Sequence, residues 1–98
     1  MRTVTFLLLF AVLVTFTACA IALTDAGKAV RVMKSDPPSN CREIGGVTGS
    51  AGGLQGDPKV IQNAKNDMRN NAAKMGANYV RFETASINSV TGTAYRCP

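Results

Sequence analysis

Asp57-Pro58-Lys59-Val60-Ile61-Gln62-Asn63-Ala64-Lys65-Asn66-Asp67-Met68-Arg69-Asn70-Asn71-Ala72-Ala73-Lys74-Met75-Gly76 spells out one helix with both ends marked. Asp57 suits the N-cap because its carboxylate accepts from the free N–H groups of the first turn. Pro58 carries a φ already set for the first helical position, and Gly76 suits the left-handed residue that ends a helix. Between them Val60, Ile61, Ala64, Met68, Ala72 and Met75 recur at helical spacing and form one apolar stripe. The opposite face carries Lys59, Asn63, Asp67, Asn70 and Lys74. Asparagine is a poor helix former, and four of them stand at 63, 66, 70 and 71. Such a helix depends on packing its stripe against a sheet. Met68 and Met75 are soft enough to bind a metal. With no histidine in the chain and both methionines on the stripe, core filling is the expected role, and no metal site is expected.

Reading outward, six glycines fall between Gly45 and Gly56. Bare backbone N–H groups can cradle a phosphate, but neither GxxxxGK(S/T) nor GxGxxG occurs, so the stretch reads as a connector. Residues 41–48 read as a strand with a kink or bulge at Gly45-Gly46. Residues 28–34 alternate, with Val30 and Val32 on one side and Ala29, Arg31 and Met33 on the other, as in a half-buried strand. Asp36-Pro37-Pro38-Ser39-Asn40 breaks it, because proline removes a ladder donor and restricts the residue before it. Beyond the helix, residues 78–85 alternate again, with Val80 and Phe82 on one face and Tyr79, Arg81 and Glu83 on the other. Residues 86–91 read as turn, and 93–97 as a last strand. The order is ββαββ. It predicts an α+β fold with one amphipathic helix on a small antiparallel or mixed sheet of about four strands.

The N-terminal quarter has a different character. Met1-Arg2-Thr3 gives a positive start, and residues 4–16 are apolar except for Thr5 and Thr15, the layout of a secretory signal. Phe16-Thr17-Ala18-Cys19 follows, matching the bacterial lipobox in its small residue before a cysteine and departing from it at Phe16. Three fates follow. Cleavage before Cys19 with lipid on its thiol is the expected one. Ordinary cleavage after Ala20 or Ala22 would release a soluble domain. The twenty residues 4–23 could also span a bilayer uncut. The expected division is a lipoprotein-type signal peptide at 1–18, lipid attachment and a short tether at 19–27, and the α+β domain at 28–98. Ala20 stands where an inner-membrane retention aspartate would otherwise stand, which points to the outer membrane, with the domain facing the periplasm.

Three cysteines sort by the same division. An oxidising compartment favours pairing Cys41 with Cys97, leaving Cys19 for lipid; two buried free thiols are the alternative. The pair would close a loop worth about 4 kcal/mol in the chain-entropy model, a large share of what so small a domain can have.

The 98 residues, 46% apolar and 17% charged, allow one small domain. The formal charge is +5, and without Arg2 it is ten basic residues against six acidic, or +4. These cations are scattered, the chain has no Trp, and no nucleic-acid partner is expected. An anionic envelope ligand could still meet Lys59, Lys74, Arg31 or Arg81. Without histidine, a C-x-x-C motif or a marked nucleophile–base pair, neither catalytic residues nor a cofactor are expected.

Cys41-Arg42-Glu43-Ile44-Gly45-Gly46-Val47-Thr48-Gly49 and Met68-Arg69-Asn70-Asn71-Ala72-Ala73-Lys74-Met75-Gly76-Ala77-Asn78-Tyr79-Val80 together resemble the RcsF-type lipoproteins and, more nearly, their small relatives in Gram-negative envelopes. The resemblance spans roughly residues 23–97. It implies an exported, disulfide-stapled α+β domain and, from its best-known member, an outer-membrane stress sensor that signals through protein partners. Two family features are missing: a long proline-rich tether, and the cysteines for a second disulfide. The expected function is therefore that of a non-enzymatic outer-membrane lipoprotein acting through contacts with envelope proteins. The alternative is a soluble periplasmic module binding an anionic ligand.

Overall fold

The structure, a computed structural model, describes residues 20–54 and 56–98. The signal peptide expected at 1–18 and the lipid attachment expected at Cys19 lie outside the described residues. A short helix, α1 (Asp25–Lys28), leads into strand β1 (Arg31–Met33) and strand β2 (Arg42–Ser50). The long helix α2 (Pro58–Lys74) follows, then β3 (Tyr79–Ala85) and β4 (Ser89–Arg96). Among the described residues the strands form one mixed sheet in the order β1-β3-β4-β2. β4 is antiparallel to both of its neighbours, and β1 is parallel to β3. β2 and β3 therefore run the same way on either side of β4, a connection that needs a crossover, and α2 supplies it.

α2 forms where its caps place it. The Asp57 side chain accepts from the Lys59 N–H at 3.0 Å, and Gly76 has φ +86° just past the last turn. Ala64, Met68 and Ala72 are buried against Val47, Val80, Val90 and Ala94 of the sheet, and Val60 is buried one turn nearer the N-terminus of the helix. The helix lies close on β2 because Gly49 has no side chain: a Cβ there would run into the Ala64 carbonyl oxygen and the Met68 backbone nitrogen. Met75, expected in the core, is instead the C-cap residue and 38% exposed, its methyl group lying over Gly45 of β2.

Three element bounds differ from expectation. Lys28 belongs to α1, which Thr24 caps by accepting from the Gly27 N–H at 2.9 Å, so β1 is three residues long. Half of the residues expected as a turn at 86–91, those from Ser89 onward, are strand. The hairpin closes at once through Ser86 N–H to Ser89 O (2.8 Å), and Val90, Gly92 and Ala94 point to the core while Thr91 and Thr93 point away. The strand expected at 41–48 runs on to Ser50, and its expected irregularity is a register shift between Glu43 and Gly45.

Candidate functional site

The asparagines that weaken α2 as a helix are what it uses to hold other backbone. Asn63 accepts from the Ile21 N–H at 3.2 Å, and Asn66 donates to the Ile21 carbonyl at 2.9 Å. Asn70 donates to the Ala22 carbonyl at 3.0 Å and accepts from the Thr24 N–H at 2.9 Å. The spacing i, i+3, i+7 puts these three amides on one flank of the helix, where each can act as one rung of a ladder for an extended chain. Arg69 continues the flank, donating to the carbonyls of Val30 and Lys28, each at 3.1 Å. Within the stretch expected as lipid attachment and a short tether at 19–27, the residues from Ile21 onward are held against α2. Gly27 is buried there, and a Cβ on it would strike the Asn70 side chain.

The other flank of α2 treats β2 the same way. Asp67 accepts from the Ser50 N–H at 3.0 Å, and Asn71 donates to the Thr48 carbonyl at 2.9 Å. β2 is an edge strand, and these side chains occupy backbone groups that would otherwise template another chain.

The sheet face away from α2 is partly roofed by residues 34–40. Tyr79 and Tyr95 are cross-strand neighbours packed edge to face, their ring centroids 6.2 Å apart, and both are buried. The Tyr79 hydroxyl donates to the Ser35 carbonyl at 2.7 Å, pinning the roof. Arg81 lies over the Tyr95 ring, its guanidinium carbon 5.9 Å from the centroid, and pairs with Asp36 at 2.6 Å and Glu83 at 3.3 Å. The hydrogen bonds that Arg81 donates to Asp36 and then to Glu83 hold its pKa above the usual value. The Thr93 hydroxyl, followed by Arg81, lowers that of Glu83. Beyond the roof, Thr48, Thr91 and Thr84 stand in register across β2, β4 and β3.

At one end of the sheet Cys41 and Cys97 form the expected disulfide. Asn78 locks the same end, donating to the Cys97 carbonyl at 2.8 Å and accepting from its N–H at 2.7 Å. Beside it is an open depression of about 410 Å³, lined among others by Arg31, Asn40, Tyr79 and Cys97.

The four cations singled out from the sequence do not converge. Lys59 and Lys74 sit at opposite ends of α2, about 22 Å apart at the helical rise. Arg31 and Arg81 are on β1 and β3, and Arg81 is already matched by two carboxylates. Asn63, Asn66 and Asn70, poor helix formers in the sequence, are the positions that composition and motif do not single out; their only local signal is three amides on one helical flank. Among the described residues no group of three His, Cys, Asp or Glu side chains could hold a metal, and both described cysteines are in the disulfide. What the geometry does is hold chain segments in place.

Comparison with known proteins gives the same bounds to the folded unit. The "Uncharacterized protein YjeI" of Escherichia coli K12 is 29% identical over 92 residues, covering 78% of this chain and 79% of that protein. The protein of that name from Shigella flexneri matches to the same extent. A family model described as "Domain of unknown function (DUF4156)" matches residues 21–97, from the first residue hydrogen-bonded to the asparagine flank to the last cysteine. The chain belongs to the DUF4156 family.

Proposed function

We propose that this protein is a lipid-anchored module of the bacterial outer membrane, attached through Cys19, that works by contacting other envelope proteins rather than by catalysis. The observation that carries this reading is the docking of residues 21–24 on α2, two residues after a cysteine that follows a secretory leader. A lipid on Cys19 would leave no slack between membrane and domain. The disulfide adds support, because such bonds persist in oxidising compartments. The resemblance to RcsF-type lipoproteins points the same way, but the docked segment restricts the proposed partners to ones near the anchoring membrane. For contact, the row Thr48, Thr91 and Thr84 offers a polar stretch of sheet surface.

The test is the intact, non-reduced mass of the protein purified from its native membranes. The reading predicts a chain starting at Cys19, carrying three acyl chains and lacking two hydrogens for the disulfide. An unmodified chain starting at Ile21 or Leu23 would overturn it. A Cys19→Ala protein that is exported and folded should be lost from the membrane fraction and fail to cross-link to partners there.

A further inference from the structure

We propose that the end of the domain bearing Leu54 and Ile87 rests on the bilayer surface, so that the protein lies on its membrane in one fixed orientation; this rests on the lipid-anchor reading. Leu54 is 81% exposed and Ile87 59%, the two highest values among the large apolar side chains of the described residues. They belong to loops far apart in sequence that the fold brings to one end. Leu54 lies just before α2, its carbonyl accepting from the Asp57 N–H at 3.2 Å. Ile87 is in the β3–β4 turn, beside Asn88, whose carbonyl accepts from the Ala51 N–H at 3.0 Å. Ile87 and Ile61 line one open depression of about 480 Å³ with Gly56, Asp57, Pro58 and Ser86.

The occupant follows from where the chain enters. Ile21 is held beside Asn63 and Asn66, in the first half of α2, and the segment then runs toward the C-terminal half to reach Asn70. Traced backward it heads for the N-terminus of α2, where Leu54 and Ile87 are. Two residues of chain span at most about 7 Å, so Cys19 can stand no farther than that from Ile21. An acylated Cys19 therefore brings the bilayer to this end and not to the disulfide end. Two apolar side chains are too few to hold a protein on a membrane by themselves, but enough to orient one already anchored by acyl chains. Lys59, exposed in the first turn of α2, adds a cation at the level of the lipid phosphates.

The chain contains no Trp, so a single introduced one reports alone. Full-length lipidated protein carrying Leu54→Trp, Ile87→Trp or, at the disulfide end, Ser39→Trp would be placed in vesicles of phosphatidylethanolamine and phosphatidylglycerol with brominated acyl chains. All three sites are exposed, so the fold should tolerate the changes. The proposal predicts quenching at 54 and 87 at least about threefold stronger than at 39, as for side chains at the headgroup–acyl boundary. Equal quenching at all three sites on vesicle-bound protein would overturn the orientation and leave the anchor reading standing. Protein that carries no lipid and does not sediment with vesicles would overturn both.

Discussion

Along α2, Val60, Ala64, Met68 and Ala72 are turned to the sheet and almost fully buried, whereas Asn63, Asn66 and Asn70 on the next flank face a stretch of extended chain. Both rows use helical spacing, yet they act in different ways. The apolar row contributes by removing surface from water, a gain that is large and indifferent to which apolar group is met. The amide row contributes little per bond but demands one segment in one register, because each amide must meet its own N–H or C=O. Stability therefore comes mainly from the first row, and placement of the N-terminus from the second.

The largest break in that comparison is Gly49→Val. What it strikes is helix backbone, which cannot rotate aside, so the expected loss is about 4 kcal/mol or outright failure to fold. Chemical denaturation of the purified domain measures it. Met68→Ala removes the largest fully buried side chain and should cost about 3 kcal/mol through lost contacts and a cavity. In both variants the loss should be global, with all probes unfolding together.

Asn70→Ala tests the other row. It removes the bonds to Ala22 and Thr24, but alanine is the better helix former by roughly 0.5 kcal/mol, so the net global change should stay within about 1 kcal/mol. The local change should be larger: residues 21–24 should open to proteolysis while the midpoint of unfolding barely moves. A global loss as large as that of Met68→Ala would make the amide row part of the core and remove the distinction.

The smallest effect belongs to the roofed face of the sheet. The folded-state pKa of Glu83 is depressed, so its contribution is present above the unfolded value of about 4.5 and is lost as pH falls through the folded value. Glu83 is exposed, which keeps the contribution small. The Glu83→Gln variant should accordingly be slightly less stable than the parent near neutrality, and acid unfolding should show that difference closing as pH falls below 4.5.

Which of these features could be read from the sequence follows from how local their causes are. The helix was legible because Asp57, Pro58, Gly76 and the apolar stripe act within a turn or two. The disulfide followed from compartment and cysteine count. The N-terminal half of β4 was not legible, because Ser89, Thr91 and Gly92 carry turn composition, and the small core residues Gly92 and Ala94 make the alternation faint. The start of β1 was not legible, because the helix capped by Thr24 is a single turn, Asp25–Lys28, too short to show an apolar stripe. The partners of the asparagine flank lie more than forty residues away in sequence, as does the Asp36 that neutralises Arg81. No local pattern encodes a pairing of that range; the pairing exists only once helix and sheet have packed.

The account rests on the chain after Cys19 being part of the fold rather than a tether. Amide hydrogen exchange at Ile21 and Thr24, measured on the membrane-bound protein, tests this most directly. Both N–H groups donate to asparagine side chains, so they should exchange at least about a hundredfold more slowly than in an unstructured chain, and that protection should vanish in Asn63→Ala for Ile21 and in Asn70→Ala for Thr24. Exchange at the free-chain rate in the parent protein would make residues 20–24 a loose linker and contradict the account.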